Sequence, residues 1–308
     1  MIPYFHEQVA KVKAAIDADD VEALKNVKDR PIWSYAAIES KPIELPLLDE
    51  STRNPNACYI SKYTITSPIA LQYAICNKKY KCADYLISKD PNNLFETKLE
   101  EVLTCKSAST RIHALHLAIL CLDGKIFDNI MTKMKKSKIS VEKATMSFKN
   151  TPLHTALQLY NYFVKSPATK ASEMCNLLKK MVNDLVSADG CCRLLVQTND
   201  MNIAPIQIIM NFDVDYFKEL LKIVKENDIA KYEEFIQKKR LYMIKSNEEN
   251  PEPTELTFEE YYRKIGKNDV ADIFSCNSCK KCGSSVELVQ CPDCLNKYCT
   301  RHFQIHKC

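Results

Sequence analysis

The sequence predicts a mainly α-helical protein in which stacked helical pairs are followed by a small metal-binding module. Only four glycines occur in 308 residues, and apolar residues mostly recur at intervals of three and four, which favours helices over strands. One short pattern is written four times along the chain, and cysteines and histidines cluster in the last 30 residues. With 46% hydrophobic residues, the chain can bury a substantial core.

The repeated pattern is a short apolar segment followed by a longer amphipathic one. Its four copies begin at positions 70, 114, 152 and 205 and read ALQYA, ALHLA, PLHTA and PIQII. The segments that follow read CADYLIS at 82–88, IFDNIMTKM at 126–134, MCNLLKKMV at 174–182 and FKELLKIV at 217–224. Each unit is therefore predicted to be a helix, a turn and a second helix. Two further units are predicted at 13–27 and 261–274, and Gly266 falls at the turn of the last one.

The third copy resembles the signature of the ankyrin-repeat family, through Thr151, Pro152, Leu153, His154 and Ala156. In that family Pro begins the first helix, and Leu and Ala face neighbouring repeats. The resemblance implies a divergent ankyrin-repeat solenoid over residues 1–275, with about six units and the outer two as caps. Successive copies start 44, 38 and 53 residues apart, against about 33 in a regular ankyrin unit. Insertions are therefore expected near 30–65, 131–150, 164–172 and 226–256.

Two histidines, His116 and His154, occupy the repeat position that Gln72 and Gln207 occupy in the other copies. In the ankyrin pattern this histidine hydrogen-bonds nearby backbone and threonine groups. Both are therefore interpreted as structural residues rather than catalytic or metal-binding ones. The sequence shows no nucleotide-binding loop and no nucleophile elbow, so no catalytic residue and no small-molecule substrate are predicted.

Eight candidate zinc ligands lie in the last 30 residues, in four pairs: Cys279 and Cys282, Cys291 and Cys294, Cys299 and His302, and His306 and Cys308. A zinc ion takes four such ligands in a tetrahedron, and two residues between cysteines let both thiolates reach one ion. Two structural zinc ions are therefore predicted. Each supplies on the order of 10 kcal/mol of folding free energy, which so short a segment needs. A catalytic zinc is not expected, because protein can fill all eight positions and no HExxH-like motif is near.

The spacing leaves open whether the ligand pairs are interleaved or sequential. The step from Cys294 to His302 and the closing His306-x-Cys308 resemble the finger of the ZFAND stress-associated proteins. The region also resembles B-box fingers, and CKKCG and CLNKYC resemble the first half of MYND fingers. These families imply a cross-brace, treble-clef-like finger over 276–308. One ion would then bind the first and third pairs, and the other the second and fourth. Cys276 would permit a shifted register with Cys279 and is interpreted as a spare thiol.

Charge and cysteine usage limit the partners and the compartment. The 43 Lys and Arg residues nearly balance the 39 Asp and Glu residues, so no single-sign field indicates nucleic acid or an anionic membrane. The start of the chain has no basic segment followed by an apolar one, and no run of about 18 apolar residues occurs, so neither secretion nor a membrane span is expected. A cytoplasmic or nuclear location is expected, and the scattered cysteines are interpreted as ordinary thiols.

The function predicted from these features is that of a non-enzymatic adaptor or scaffold. The repeat array would bind one protein partner and the zinc module a second, because repeat arrays present extended binding surfaces. An alternative is a ubiquitin-pathway role as a ligase subunit or substrate adaptor, which rests on analogy with the ZFAND and B-box families. Nucleic-acid binding is less expected. It would use the basic segment 133–149, which is otherwise interpreted as a solvated loop, and the finger, whose net charge is +3 (five Lys or Arg minus two acids).

Overall fold

The computed structural model describes residues 2–27, 38, 43–44, 62–65, 68–89, 98–103, 106–144, 149–165, 170–188, 193–200, 203–210, 212–227, 229–243, 253–274, 288–290 and 297–299. The described residues are mainly helical, which confirms the predicted fold class at that level. They divide into two compact units, Met1–Phe212 and Asp213–Cys308. No helix among them is both long enough and apolar enough to cross a membrane.

The first unit alternates helical pairs with short strands. In chain order its elements are α1 Ile2–Asp17, α2 Val21–Lys25, β1 Ile43–Glu44, β2 Lys62–Ile65, α3 Ala70–Cys76, α4 Tyr80–Lys89, β3 Lys98–Leu103, β4 Lys106–Arg111, α5 Ala114–Leu120, α6 Gly124–Lys136, a 3-10 turn at Val141–Lys143, α7 Pro152–Lys165, α8 Ala171–Ala188, α9 Arg193–Val196 and α10 Pro205–Ile209. The predicted helical segments of this unit all lie within these helices.

The helices of the first unit form a stack two layers deep. We name α1/α2, α3/α4, α5/α6 and α7/α8 the first to fourth pairs, and the two helices of each pair pack together. The first helices α1, α3, α5, α7 and α10 also pack on one another in that order, and the second helices α2, α4, α6 and α8 do the same. Each pair therefore contacts its neighbours along the chain.

The same left-handed turn joins the helices of the first three pairs. Asp19, Lys78 and Leu122 have positive φ angles of 51°, 54° and 51°. Each lies two residues after the first helix ends and two before the second begins. At Lys78, the amide donates to Ile75 O at 3.0 Å and the next amide donates to Ala74 O at 2.9 Å, which is the Schellman arrangement. The turn therefore persists without the glycine that such turns usually use.

Burial explains why the repeated pattern begins with an apolar segment. All seven residues of α5 are buried, whereas α6 buries only Ile126, Phe127, Ile130 and Met134 along one face. A helix that is apolar all round is one enclosed by neighbours, and a helix with a single apolar stripe lies at a surface. Helices α3 and α5 thus lie in the interior of the stack, whereas α1 and the second helices each expose one face.

Short strands accompany the helices, although the sequence gives little evidence for them. Strands β1 to β4 form one antiparallel sheet in sequential order, with β3 and β4 paired from Lys98↔Arg111 to Leu103↔Lys106. β1 and β2 lie within the predicted insertion 30–65. Residues 131–136 of the predicted insertion 131–150 are helical, because α6 continues to Lys136.

The second unit has an aromatic core. Its elements are α11 Val214–Asn227, α12 Ile229–Gln237, β5 Arg240–Met243, β6 Pro253–Leu256, α13 Phe258–Lys264, α14 Asn268–Phe274, β7 Leu288–Gln290 and β8 Lys297–Cys299. Phe274 packs against Phe258, Tyr262 and Phe217, with ring centroids 5.1, 6.1 and 5.6 Å away. The predicted insertion 226–256 contains helix α12 and the β5–β6 hairpin.

The last predicted repeat unit, residues 261–274, is a helical pair formed by the end of α13 and by α14. Gly266 occupies its turn with a φ angle of 78°. Its amide donates to Arg263 O at 3.1 Å, and the Lys267 amide donates to Tyr262 O at 2.9 Å. This is the same hydrogen-bond arrangement as at Lys78, so the predicted role of Gly266 is confirmed.

Candidate functional site

Most of the predicted zinc module lies outside the described residues. Seven of its eight predicted ligands do so: Cys279, Cys282, Cys291, Cys294, His302, His306 and Cys308. Cys299 is the last residue of β8, and only its backbone is described. The spare Cys276 also lies outside the described ranges. The predicted ligand set and its two zinc ions therefore stay predictions.

The described portion of the module is the antiparallel hairpin of β7 and β8. Its register pairs Leu288 with Cys299, Val289 with Tyr298 and Gln290 with Lys297. The six residues 291–296, which include Cys291 and Cys294, join the two strands at the Gln290–Lys297 end. Cys299 is at the opposite end, two residues or about 7 Å along the strand.

No alternative metal site is present in the portion of the chain that the structure describes. Within those ranges, no three His, Cys, Asp or Glu residues are grouped so that they could hold an ion.

His116 joins the third pair to the fourth. Its Nε2 lies 2.8 Å from Ala144 O, and its Nδ1 lies 2.8 Å from the Thr155 hydroxyl on α7. A carbonyl oxygen only accepts hydrogen bonds, so Nε2 carries the proton and Nδ1 accepts from Thr155. Both ring nitrogens are therefore engaged in structural hydrogen bonds.

His154 makes the equivalent link from the fourth pair to the helix that follows it. Its Nδ1 accepts from the Thr151 amide at 3.1 Å and lies 2.8 Å from the Thr151 hydroxyl, while its Nε2 donates to Ile203 O at 2.9 Å. Ile203 closely precedes α10, so this bond connects the fourth pair to the next helix of the inner layer. The structural interpretation of both histidines agrees with these contacts.

The environment of these histidines keeps the imidazoles neutral. His116 and His154 are completely buried, with no accessible surface on either side chain. Burial lowers the pKa of each to about 4, because the charged form loses its hydration. Neither ring is therefore charged near neutral pH.

Glutamine replaces histidine in two copies of the pattern and caps its helix in the same way. Gln72 Oε1 accepts from the Ile69 amide at 3.0 Å, and Gln207 Oε1 accepts from the Ala204 amide at 2.6 Å. Both amides precede the first turn of a helix, as the Thr151 amide does. In three of the four copies, at Gln72, His154 and Gln207, this position therefore supplies an acceptor for the start of its own helix, whereas His116 bonds Ala144 and Thr155 instead.

The basic segment 133–149 is partly tied to the protein. Lys133 Nζ donates to Ser88 O at 2.9 Å, across the two neighbouring helices α6 and α4. Lys149 Nζ lies 2.8 Å from the Asp200 carboxylate. Lys135 and Lys136 are exposed. The exposed stretch of the segment thus begins within the last turn of α6.

The surface of the second-helix layer is polar. Lys180 Nζ on α8 donates to both carboxylate oxygens of Asp128 on α6, at 2.7 and 2.8 Å. Asn129 on α6 donates to the Asp84 carboxylate on α4. Among the described residues the exposed large hydrophobic side chains are Tyr4, Val164 and Ile265, which are far apart in sequence and lie on different elements. The described surface therefore offers charged and hydrogen-bonding groups rather than an apolar groove.

Two of the cysteines that the sequence interpretation grouped with the scattered thiols are brought together. Cys76, the last residue of α3, has its Sγ 4.0 Å from the Sγ of Cys121, which directly follows α5. Aligning the four copies of the pattern would have placed these cysteines one position apart in consecutive units. That alignment is the signal that sequence reasoning overlooked.

Comparisons with protein-family models, with curated proteins and with solved structures give no match to this chain.

Proposed function

We propose that this protein is a non-enzymatic adaptor, in which an ankyrin-like repeat array binds one protein partner and a two-zinc finger binds another. The observation that carries the proposal is the ordered packing of helices in the first unit, first helix on first helix and second on second. Such stacking generates an extended surface from consecutive elements, which suits the binding of a partner protein.

The assignment of the stack to an ankyrin-like array rests on two repeated details. The same left-handed turn recurs at Asp19, Lys78 and Leu122. At the histidine position of the repeated pattern, the His154 side chain also hydrogen-bonds backbone groups, as the family resemblance implies. Unrelated helical pairs of similar length would not be expected to repeat both the left-handed turn and the hydrogen-bonded position.

The binding surface of the array is proposed to lie on the second helices. The first helices α3 and α5 are enclosed, since all their residues are buried except the partly buried Cys76. The second helices expose charged residues, among them Lys135 and Lys136 of α6. Recognition through such groups depends on charge complementarity, so partner association should slow and weaken as the salt concentration rises.

The finger is proposed to hold two structural zinc ions in the interleaved arrangement. Support for this pairing comes from the resemblance of the region to the cross-braced ZFAND and B-box fingers. The ligands of one tetrahedral ion must converge within about 2.3 Å of it. In the interleaved arrangement Cys299 and His302 join Cys279 and Cys282, whereas in the sequential one they join His306 and Cys308.

The test compares the full chain with two single variants. Elemental analysis of the purified wild-type protein should give two zinc ions per chain. Cys299→Ser removes a proposed ligand and should lower the zinc content to about one, whereas Cys276→Ser, at the spare thiol, should leave it at two. Point variants are preferable to a chain ending at residue 275, because the second compact unit begins at Asp213 and such a truncation would cut through it.

The same three proteins are then used as baits for affinity purification and mass spectrometry from cells. Partners lost with Cys299→Ser but kept with Cys276→Ser would be recruited by the zinc finger, and partners kept by all three would bind the array. Ubiquitin-conjugating enzymes among the first group would favour the ubiquitin-pathway alternative. A zinc content that Cys299→Ser does not change would contradict the ligand set, and a wild-type bait that recovers no protein above the background of an empty purification would contradict the adaptor function.

A further inference from the structure

Two thiols from consecutive helical pairs lie in contact in the interior layer of the stack. The Sγ atoms of Cys76 and Cys121 are 4.0 Å apart, although the residues are separated by 45 positions in the chain. Each lies at the carboxyl end of a first helix, Cys76 in α3 of the second pair and Cys121 just after α5 of the third. Because α3 and α5 pack against each other, the architecture of the repeats itself creates this contact.

The two sulfurs are close enough for a disulfide bond to form between them. A disulfide needs the two sulfurs about 2.05 Å apart, so the observed separation must shorten by about 2 Å. Rotation of the two short side chains can bring the sulfurs together without rerouting the backbone. Both residues are only partly buried, so part of each is in contact with solvent. By contrast, Cys82 is fully buried and its Sγ donates to the backbone carbonyl of Ala15.

We propose that Cys76 and Cys121 form a reversible intrachain disulfide that ties the second helical pair to the third. The chemistry is exchange with a low-molecular-weight disulfide of the glutathione type. One protein thiolate attacks the small disulfide, which forms a mixed disulfide and releases one small thiolate. The second protein thiolate then attacks the protein sulfur of the mixed disulfide and releases the other. The two protons lost by the protein thiols are taken up by the two small thiolates, and the two electrons lost by the protein reduce the oxidant.

The surroundings slow this reaction at neutral pH. The contact with Cys121, and after it burial, raises the pKa of the Cys76 thiol above its ordinary range. Since the thiolate is the attacking species, formation of the cross-link should accelerate about tenfold per pH unit between about pH 7 and pH 8. The two thiols would thus remain reduced during brief exposure to an oxidant and form the disulfide under sustained oxidation.

The test uses the folded full-length chain and peptide mapping. After full reduction, the protein is incubated in a buffer containing reduced and oxidised glutathione, quenched by alkylation and digested with trypsin. Cleavage after Lys62, Lys78, Arg111 and Lys125 yields peptides 63–78 and 112–125, and each contains a single cysteine. A cross-link between these two peptides therefore identifies the Cys76–Cys121 bond without ambiguity, whatever happens at the zinc module.

The proposal predicts that this cross-linked pair accumulates in the wild-type protein and disappears on reduction. It should fall at least tenfold in Cys121→Ser and persist unchanged in Cys175→Ser, which removes a partly buried thiol on α8. Glutathione adducts on Cys76 or Cys121 without the cross-link would overturn the proposal. So would a cross-link that forms only in denaturant, since the folded contact would then not be its cause.

Discussion

The left-handed turn at Lys78 allows the repeat architecture to be tested by a single substitution. Lys78 joins α3 to α4 with a φ angle of 54°, which a residue with a Cβ adopts only at a cost. Its side chain is exposed, and the turn is held by backbone hydrogen bonds from its own amide and that of Lys79. Glycine keeps both hydrogen bonds and removes the steric cost, so Lys78→Gly should stabilise the protein.

The expected gain follows from two opposing contributions. Relief of the left-handed conformation is worth about 1–2 kcal/mol. Glycine also increases the entropy of the unfolded chain, which returns about 0.4–1 kcal/mol. The net stabilisation should be about 0.5–1 kcal/mol, which corresponds to a rise of about 1–4 °C in the Tm of a unit of this size.

The assay is urea unfolding followed by circular dichroism, with Lys78→Ala as the matched control. Alanine removes the same side chain but keeps the Cβ, so its stability should differ little from that of the wild type. The reciprocal change is Gly266→Ala in the second unit, where φ is 78° and an added Cβ meets no atom within 4 Å. It should destabilise by about 0.5–1 kcal/mol through the backbone alone. Equal stabilities of Lys78→Gly and Lys78→Ala would refute the reasoning.

Three further predictions address the cores and the histidines. Leu153→Ala should destabilise the first unit by about 2–5 kcal/mol in the same assay, because this side chain on α7 has no exposed surface; a loss well below about 1 kcal/mol would contradict its assigned place in the stack. Phe274→Ala should cost the second unit about 3–5 kcal/mol, and hydrogen exchange should speed up in α13 while α5 is unaffected. Unfolded His116 and His154 bind protons below about pH 6.5, whereas the folded side chains stay neutral down to about pH 4, so stability should be complete above about pH 6.5 and fall by up to about 3 kcal/mol per histidine as the pH drops to about 4. The double variant His116→Gln and His154→Gln should remove this part of the pH dependence and leave the part due to His113, whose pKa burial lowers to about 3; an unchanged pH profile would count against the reasoning.

The helical pairs were predictable from the sequence because their signal is local. The apolar spacing within each segment defines a helix, and the repeated PLHTA-like pattern marks where each first helix begins. Gly266 also marks its turn through its own residue type. These features depend on residues a few positions apart, and the structure agrees with them.

Features set by contacts between distant segments were not predictable. Residue type does not mark Lys78 or Leu122 as left-handed, because neither is the glycine that such turns favour. Strand β4 reads KSASTR and lacks the apolar alternation of a half-buried strand, so its pairing with β3 carries no sequence signal. The contact between Cys76 and Cys121 likewise depends on how two units pack. The zinc ligands are the opposite case, because their spacing along the chain is itself the signal.

The contacts that link consecutive helical pairs differ in chemistry, so acid and oxidation should affect different parts of the stack. The first and second pairs are joined by the Asp19 carboxylate, which accepts from the Cys82 amide at 2.9 Å. The second and third pairs share the Cys76–Cys121 contact, whereas the third and fourth share the His116–Thr155 hydrogen bond.

In a repeat array stability is approximately the sum of units and nearest-neighbour interfaces, so each link acts mainly where it lies. Acid should therefore lower the local stability near the fourth pair, and oxidation should raise the local stability near the second. At about pH 5, protection against hydrogen exchange, taken relative to the intrinsic exchange rate at that pH, should fall in α7 before α3, and oxidation at neutral pH should slow exchange in α3 and α5 but not in α7.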